Sequence, residues 1–306
     1  MEPLITGGSG FLGSHLIEAL DFNCITLGRK PCLNNQGQHF FAELEQPIFS
    51  LDVFVNVEVV IHCAARVHLM NDNSLNPLEE FREVNTLGAL NLAKQAAQAG
   101  VKRFIFISSI KVNGESTTID KPFTSKDERL PLDPYGISKS EAEVQLLELA
   151  EETGLEVVII RPTLVYGPGV KANFASLMNL VSRGLPLPFG SITKNKRSLV
   201  SVKNLVDLII TCIDHPNAAN QVFLVSDDND VSTASMVKEM SVALGKPDRM
   251  LPVPLWCYHL VGKTFGKQDI VNRLLGSLQV DISHTKEALG WAPPQTIKDG
   301  FRETAE

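Results

Sequence analysis

Tyr135 and Lys139 are the residues whose types and spacing offer the clearest chemistry in this sequence. They stand four positions apart in a segment predicted to begin a helix, with Pro134 directly before it. Both side chains therefore share one helical face. A free phenol has a pKa near ~10, and a neighbouring ammonium is expected to lower the pKa of Tyr135. The pair could then exchange a proton with an alcohol or a carbonyl, although this spacing also occurs in helices by chance.

Two serines follow a predicted strand and could lie beside this pair. Ser108 and Ser109 come at the end of the predicted strand Arg103–Ser108, and ligands of parallel α/β sheets bind at the carboxyl ends of the strands. A hydroxyl there can hydrogen-bond the reacting oxygen of a substrate. Ser109 is the stronger candidate, and the alternative is that either serine only ends the strand.

A glycine-rich turn supplies a candidate phosphate site. Gly7, Gly10 and Gly13 recur every three residues, after a short apolar run and before a segment of helical period. The pyrophosphate of a dinucleotide must approach bare backbone N–H groups at a helix N-terminus, where the helix dipole favours negative charge and a Cβ would obstruct it. We predict a dinucleotide site here, whose nicotinamide exchanges hydride beside Tyr135. A tight turn without a ligand is the alternative.

The residues after the second predicted strand bear on which dinucleotide binds. A cofactor that lacks a 2′-phosphate usually meets an acidic residue about twenty positions beyond the glycines. This chain has Gly28, Arg29 and Lys30 there instead. Their positive charge suits a ribose 2′-phosphate. The expected cofactor is NAD or NADP, with NADP favoured by Arg29, and a solvated pair of surface cations is the alternative.

Short apolar runs alternate with longer segments of helical period, a pattern typical of strand-helix-strand units around a parallel sheet. The predicted strands are Leu4–Thr6, Cys24–Leu27, His39–Phe41, Val59–His62, Arg103–Ser108, Val157–Arg161 and Gln221–Val225. The clearest predicted helices are Phe11–Leu20, Leu78–Ala99, Tyr135–Glu152 and Val202–Cys212. These elements predict an α/β fold, a Rossmann doubly wound parallel sheet with a second, smaller, mostly α-helical substrate-binding lobe.

Glycines and prolines crowd the stretch between Pro162 and Gly190 and indicate loops that leave the sheet. We therefore place a domain boundary there. Residues 1–165 plus about 202–227 are predicted to form the dinucleotide-binding domain. Residues 166–201 plus 228–306 are predicted to form the substrate-binding lobe.

Composition narrows the classes of partner. The 306 residues carry a formal net charge of −7, which disfavours nucleic acid as a partner. The five cysteines are scattered, without a metal-binding spacing, and are expected to be reduced, with no metal site. Neither a signal segment nor an apolar run of ~18 residues is visible, so a cytoplasmic protein without a membrane span is expected. The apolar stretch Val253–Val261 could touch a membrane surface, although ordinary packing is the favoured interpretation.

Taken together, the motifs resemble the extended short-chain dehydrogenase/reductase family, and especially its NAD(P)-dependent nucleotide-sugar epimerase/dehydratase branch. The resemblance covers nearly the whole chain. Its landmarks are Thr6-Gly-Gly-Ser-Gly-Phe-Leu-Gly13, Ile61-His-Cys-Ala-Ala65, Asn85 within Val-Asn-Thr-Leu-Gly, Phe106-Ile-Ser-Ser109, Pro134-Tyr-Gly-Ile-Ser-Lys139 and Arg161-Pro-Thr-Leu-Val-Tyr-Gly-Pro168. In this order and spacing they are jointly specific.

The resemblance implies a role for each matching residue. Tyr135 is implied to be the acid/base, Lys139 to bind the nicotinamide ribose, and Ser109 to bind the sugar oxygen. The implied cofactor-binding set is Gly7, Gly10, Phe11, Leu12, Gly13, Arg29, Ala64, Ala65, Asn85, Ser108, Tyr135, Lys139 and Pro162. The implied substrate-binding set is His68, Ser109, Tyr135, Asn173, Arg197 and Arg273.

The substrate-binding residues differ in how closely they match the family pattern. Asn173 and Arg197 match family positions that contact a nucleotide diphosphate, and the planar fork of an arginine suits phosphate oxygens. A plain surface arginine is the alternative for Arg197, and the match at Arg273 is loose. His62 ends a strand and is interpreted as structural, whereas His68 could face the sugar.

Departures from the family pattern separate the possible reactions. Dehydratases of the family have Asp-Glu after the catalytic hydroxyl residue, whereas this chain has Ile110 and Lys111, so dehydration is not expected. C4 redox chemistry on a UDP-sugar remains, with a UDP-hexose or N-acetylhexosamine 4-epimerase slightly favoured. The first alternative is an NADPH-dependent 4-reductase of UDP-4-keto-6-deoxy-hexosamines, which Arg29 favours. Asn113 stands where 4-epimerases commonly have a tyrosine, which slightly weakens the epimerase case. A small-ketone reductase and a non-catalytic NADP-binding sensor are further alternatives. The resemblance also implies a homodimer through the two longest predicted helices.

Overall fold

Seven parallel strands form the central sheet of the protein. The structure is a computed structural model that describes residues 2–32, 37–46, 51–67 and 76–306, without the side chains of residues 172 and 173. The sheet has the order β3-β2-β1-β4-β5-β6-β9. Its strands are β1 (Leu4–Thr6), β2 (Ile25–Gly28), β3 (His39–Phe41), β4 (Val59–His62), β5 (Arg103–Ile107), β6 (Glu156–Pro162) and β9 (Gln221–Val225), and a separate parallel pair is β7 (Leu164–Tyr166) and β8 (Leu199–Ser201).

Helices follow most of the strands. They are α1 (Phe11–Ala19), α2 (Pro77–Arg82), α3 (Gly88–Gln98), α4 (Pro134–Thr153), α5 (Ala172–Ser182), α6 (Val202–Asp214), α7 (Thr233–Ala243), α8 (Leu255–Thr264), α9 (Gln268–Leu275), α10 (Ser283–Leu289) and α11 (Ile297–Ala305). A π-helical turn, Glu83–Leu87, joins α2 to α3, so the single helix predicted over 78–99 is three helical pieces in sequence. No helix within the described ranges is long and apolar enough to cross a membrane.

The sheet is covered on both faces, which explains why its strands are apolar at almost every position. Neighbouring residues along a strand point to opposite faces. Ile5 belongs to a core that also contains side chains of α1 and α6, whereas Leu4 belongs to a core built with α3 and α4. The Rossmann fold class predicted from the sequence is confirmed by this sheet.

A third core surrounds the β7–β8 pair and contains side chains of α5, α7 and α11. A buried hydrogen-bond network closes it. The hydroxyl of Tyr166 donates to Asp227 at 2.7 Å, and Asp227 also accepts from the backbone N–H of Ser201 at 2.8 Å. The side-chain amide of Asn204 donates to the same carboxylate at 2.7 Å. Because these donors satisfy a buried carboxylate, they tie the strand pair to α6 and to the end of β9.

The order in which the chain adds strands to the sheet changes direction at its centre. The chain runs outward from β1 through β2 to β3, then returns to the other side of β1 at β4. The carboxyl ends of β1 and β4 therefore flank a topological switch point, where ligands of doubly wound sheets bind. The glycine turn follows β1 at this edge.

Candidate active site

The glycine turn between β1 and α1 leaves room where side chains would obstruct a ligand or the backbone. Gly7 has φ +71°, and a Cβ on it would lie 2.6 Å from the backbone nitrogen of Ala64. A Cβ on Gly13 would collide with the backbone of Gly7. The N–H of Gly10 donates to the carbonyl of Gly7 at 2.9 Å, which closes the turn. These positions require glycine because the chain passes so close to itself.

The N-terminus of α1 is open to an anion. Gly10 is its N-cap and supplies no capping side chain, and the first turn contains no acidic residue. The N–H groups of Phe11 and Leu12 have no helical acceptor at this end. Bare N–H groups and the positive end of the helix dipole together fit a pyrophosphate. The chain around this turn therefore fits a dinucleotide.

The next strand along the sheet continues this edge. Ala64 and Ala65 follow β4 after Cys63, and the N–H of Ala64 donates to the Thr6 hydroxyl at 3.3 Å. Their small side chains leave the edge open beside the glycine turn. The Thr6 hydroxyl also contacts Nδ1 of His62 at 2.9 Å.

His62 is buried and stacks between two aromatic rings. Its ring lies 5.8 Å from each of those of Phe104 and Phe106. Burial, and to a smaller degree the charge of Lys139, lowers the pKa of His62 to about 3. The imidazole is therefore neutral at physiological pH and has a structural position, as its place at the end of a strand predicts.

Arg29 and Lys30 lie beyond the end of β2, and both are exposed. The pairing of Thr6 in β1 with Leu27 in β2 places Arg29 two residues past the level of Thr6, at the same edge as the glycine turn. A cation at this edge could reach the ribose of an adenosine whose pyrophosphate lies on α1.

Helix α4 begins with a strong cap and carries the predicted catalytic pair. The Asp133 side chain accepts from the N–H of Gly136 at 2.7 Å, and Pro134 occupies the first helical position. The cap fixes the helix start one residue before Tyr135. The phenol of Tyr135 is half-buried and packs edge-on against Phe81, with ring centroids 6.1 Å apart.

Lys139 lies one helical turn after Tyr135 and is almost completely buried. Its Nζ donates to the backbone carbonyl of Ile107 at 2.8 Å and lies 4.4 Å from the centroid of the Phe106 ring. Burial lowers the pKa of Lys139 to about 7, while Cys63 and Glu143 act to raise it. Helix α4 thus presents an ammonium at the carboxyl end of β5, the edge where the dinucleotide is expected.

The pKa of Tyr135 differs from the prediction. Burial first, and the Asp133 carboxylate second, raise the pKa of Tyr135 to about 12, while its hydrogen bond with Ser109 acts to lower it. The prediction of a lowered pKa is wrong for this arrangement because burial and the Asp133 carboxylate outweigh the hydrogen bond, and because the Lys139 Nζ is directed at the Ile107 carbonyl. The phenol is protonated at neutral pH and is poised to donate a hydrogen bond.

Ser109 and Ser108 point to different partners. Ser109 follows β5, is half-buried, and shares a hydrogen bond with the Tyr135 hydroxyl. Ser108 turns inward, and its hydroxyl donates to Glu143 at 2.6 Å. The structure therefore brings Ser109, not the side chain of Ser108, to Tyr135.

A buried ion pair that the sequence analysis missed lies behind Lys139. Glu143 is fully buried one turn further along α4 and receives two hydrogen bonds from Arg161, at 2.8 and 2.5 Å. Arg129 donates to the same carboxylate at 3.2 Å, and Arg161 also donates to Asn113 at 2.9 Å. An arginine directly after the apolar run Val157–Ile160 of β6 was the available signal, because a buried cation requires a partner. This network fixes α4 against the sheet.

Asn85 fixes the segment after β4 to α4. Its side-chain oxygen accepts from the N–H of Arg66 at 2.8 Å, and its amide donates to the Arg66 carbonyl and to the Ser138 hydroxyl, both at 3.0 Å. Asn85 is fully buried in the π-helical turn. Pro162 ends β6, is buried, and pairs with Val225 in the sheet.

Two arginines meet at the predicted substrate side. The Arg197 guanidinium donates to the backbone carbonyl of Arg273 at 2.5 Å. Burial first, and the charge of Arg273 second, lower the pKa of Arg197. Within the described part of the chain no carboxylate forms an ion pair with either guanidinium. Adjacent like charges without a counter-ion create a local positive potential that suits an anion.

Two predicted substrate residues receive no structural test. His68 lies outside the described residues. Asn173 lies in the first turn of α5, and its side chain is not described. Among the described residues there is no group of three or more His, Cys, Asp or Glu side chains that could hold a metal ion.

Comparison with known proteins assigns the class. Residues 3–226 match the NAD dependent epimerase/dehydratase family, and the chain belongs to that family. A protein of Vibrio cholerae described as UDP-glucose 4-epimerase is 60% identical to this chain, over 99% of the chain and 94% of that protein.

More distant proteins agree on the fold. An Escherichia coli O157:H7 protein, N-acetyl-alpha-D-glucosaminyl-diphospho-ditrans,octacis-undecaprenol 4-epimerase, is 28% identical over 99% of this chain and 94% of its own length. The crystal structure of UDP-glucose 4-epimerase from Thermotoga maritima, solved with UDP-glucose, superposes with a TM-score of 0.80. It is 24% identical and covers 100% of this chain and 97% of its own. That similarity shows the fold.

Proposed function

We propose that the protein is a 4-epimerase of UDP-sugars that interconverts UDP-glucose and UDP-galactose. The observation that carries the proposal is the position of Tyr135 beside Ser109 and one helical turn before Lys139, at the same sheet edge as the glycine turn. This places a proton donor where a dinucleotide and a sugar would meet. The whole-length similarity to the Vibrio cholerae protein supports the UDP-hexose as substrate.

The dinucleotide would be held by the glycine turn and its neighbours. Gly7, Gly10 and Gly13 with the N–H groups of Phe11 and Leu12 would bind the pyrophosphate, and Ala64 and Ala65 would line its course. Lys139 would bind the nicotinamide ribose. The wall of the dinucleotide site would be completed by Asn85, the backbone of Ser108 and Pro162. When bound, a nicotinamide supplies a hydride acceptor and donor, and its oxidised ring adds positive charge beside the phenol.

The protein residues would control the proton on the sugar O4. Oxidation of the C4 alcohol requires a base. The positive charge of a bound oxidised nicotinamide would lower the raised pKa of Tyr135, and its phenolate would then accept the O4 proton as C4 becomes a ketone. After the ketone turns its other face toward the cofactor, the protonated Tyr135 would return the proton to O4. Ser109 would hold O4 in both positions. Because the hydride returns to C4 and the proton returns to O4, the net reaction consumes no cofactor.

The UDP diphosphate would lie on the arginine pair. Arg197 and Arg273 present positive charge at the substrate side without a paired carboxylate within the described residues. Bidentate hydrogen bonds from an arginine to phosphate oxygens are strong and directional. Asn173 and His68 are proposed to contact the same substrate, at the diphosphate and the sugar respectively.

The domain division and the assembly follow the same proposal. Residues 1–165 plus about 202–227 would bind the dinucleotide, and residues 166–201 plus 228–306 would bind the UDP-sugar. A homodimer would form through the surface of α2, α3 and α4. The exposed apolar side chains Leu87 and Val144 lie on this surface and would be covered by the partner.

A second candidate function, 4-reduction of a UDP-4-keto-6-deoxy sugar, is favoured by Arg29. An exposed arginine after β2 suits NADP, the cofactor of reductive reactions. The description of the family names NAD, which has no 2′-phosphate. Under the epimerase proposal, Arg29 would therefore contact the ribose itself.

The experiment that separates these functions begins with the purified protein. Its bound nucleotide is released and identified, and UDP-galactose, UDP-N-acetylgalactosamine and a UDP-4-keto-6-deoxy sugar are then supplied separately. Tightly bound NAD with interconversion of UDP-hexoses supports the epimerase. Stoichiometric oxidation of NADPH by the keto sugar alone supports the reductase, and no turnover with any of the three refutes both.

A further inference from the structure

Exposed apolar side chains that the proposed chemistry does not use are concentrated on helices α8 and α9 and in the residues that flank α8. Of the twenty large apolar side chains exposed among the described residues, seven lie between residues 251 and 270. We call the surface made by Leu251, Leu255, Trp256, Leu260, Phe265 and Ile270 the apolar patch. Trp256 is 66% exposed and Phe265 is 74% exposed. A concentration of this kind marks a binding surface more often than scattered exposed side chains do.

The patch is held outward by a packed helical hairpin. Gly262 of α8 is buried, and a Cβ on it would lie 2.8 Å from Cγ2 of Val271 in α9. The N–H of Lys267 donates to the Gly262 carbonyl at 2.8 Å, which closes the connection between the helices. Trp256 and Leu260 are four residues apart and share the side of α8 turned away from Gly262. Their exposure is therefore a property of a closely packed element.

The segment that carries the patch has a net charge of opposite sign to that of the whole protein. Residues 246–273 contain five cations, Lys246, Arg249, Lys263, Lys267 and Arg273, and two anions, Asp248 and Asp269, which gives +3. The chain as a whole carries −7. Lys263 lies seven residues after Trp256 and so shares its face of α8. An occupant that is both apolar and negatively charged fits this surface, whereas a second copy would bring the same positive charges together.

We propose that the apolar patch docks on an anionic lipid bilayer. Trp256 and Phe265 would enter the headgroup region, where aromatic rings are favoured, and Lys263 and Lys267 would contact lipid phosphates. Association of this kind buries one face of a surface element and requires no membrane span. The inference is independent of the reaction catalysed. Arg273 and Ile270 are neighbours on α9, so the arginine pair of the proposed diphosphate site borders the patch.

Vesicle sedimentation with the full chain tests this proposal. The protein is mixed with sucrose-loaded vesicles of phosphatidylcholine alone, or of phosphatidylcholine with about one third phosphatidylglycerol, at low and high salt. One double variant is Trp256→Glu with Phe265→Glu, and another is Lys263→Glu with Lys267→Glu. Phe22→Glu is the matched control, since Phe22 is a large exposed apolar side chain outside the patch.

The expected result is binding to the anionic vesicles that weakens at high salt and falls at least about tenfold in each double variant. Phe22→Glu should bind like the unaltered protein. The proposal is overturned if the anionic vesicles bind no protein, if neutral vesicles bind it equally well, or if both double variants bind normally. A lower oligomer mass for the Trp256→Glu, Phe265→Glu variant would also overturn it, because a second copy would then be the occupant.

Discussion

The ammonium of Lys139 donates a 2.8 Å hydrogen bond to the carbonyl of Ile107, at the carboxyl end of β5 and one helical turn from Tyr135. This contact fixes the end of a flexible side chain in a buried position, between α4 and the strand that leads to Ser109. The contact therefore orders the three proposed catalytic groups along one sheet edge.

Replacing Tyr135 by Phe should remove the proton donor and leave the fold intact. Because the ring still packs on Phe81, the melting temperature and the amount of bound nucleotide should stay close to those of the unaltered protein. The rate of UDP-glucose and UDP-galactose interconversion should fall at least ~100-fold, the usual scale for loss of an acid/base group.

Tyr258→Phe is the matched control for that variant. The hydroxyl of Tyr258 is buried and has no hydrogen-bond partner among the described residues, so its removal should change neither rate nor stability. A Tyr135→Phe enzyme with a near-normal rate would assign the proton transfer to another group.

Acid should destabilise the protein partly through His62. The unfolded imidazole takes up a proton near pH 6.5, but the buried one does not until about pH 3. The unfolded state therefore binds more protons in this range, and the free energy of unfolding should fall as the pH decreases. Between pH 6.5 and 5 this one group should cost about 1.5 kcal/mol.

Urea denaturation at both pH values measures that loss, with His62→Asn as the comparison. An asparagine amide can still meet the Thr6 hydroxyl but does not titrate. The variant should be less stable overall, yet lose about 1.5 kcal/mol less on acidification than the unaltered protein. An equal loss in both proteins would show that His62 takes up its proton normally.

Breaking the buried Glu143–Arg161 pair should be costly because it leaves one charge unpaired. Glu143→Gln and Arg161→Met should each reduce the free energy of unfolding by about 3–5 kcal/mol. The double variant should lose much less than the sum, since neither charge then remains buried alone. Chemical denaturation of the three variants measures this difference.

The exposed pair of Lys203 and Glu303 provides the control for that cycle, since its N–O distance is 3.2 Å but both side chains are solvated. Removing either partner should leave the stability almost unchanged. Strict additivity of the two substitutions at 143 and 161 would be inconsistent with a coupled ion pair.

Substrate affinity should depend on Arg197. Replacing it by Met removes charge-assisted hydrogen bonds to the diphosphate, so the KM for UDP-glucose should rise about 10- to 100-fold. The kcat should change less, because these contacts are the same in the ground and transition states. Arg302→Met, an exposed arginine paired with Asp299, should leave both constants unchanged. A loss confined to kcat would remove Arg197 from the diphosphate site.

More of the fold than of the candidate site could be predicted from the sequence. The strands Leu4–Thr6, Val59–His62 and Gln221–Val225 have the predicted bounds, because buried parallel strands are short apolar runs with clear ends. The pair β7–β8 was not predicted, since β7 lies in the segment rich in glycine and proline that indicated loops and β8 is only three residues long. The π-helical turn has no sequence signal that distinguishes it from a continuous helix.

Within the site, local patterns were informative and distant contacts were not. The glycine turn and the spacing of Tyr135 and Lys139 are local and could be read directly. Glu143 lies in a polar stretch of α4 that resembles a solvated face, and only Arg161, on a strand, makes it a buried residue. The pKa of Tyr135 depends on burial by the surrounding fold, which spacing along the helix does not reveal.

The most direct test of the central claim follows the hydrogen at C4. UDP-galactose carrying deuterium at C4 is incubated with the purified protein in ordinary water, without added cofactor, and the product is examined by NMR. The account predicts UDP-glucose that retains the deuterium at C4, because hydride leaves and returns within one site while Tyr135 moves only the O4 proton. Absence of UDP-glucose, or its formation with hydrogen from water at C4, would contradict the account.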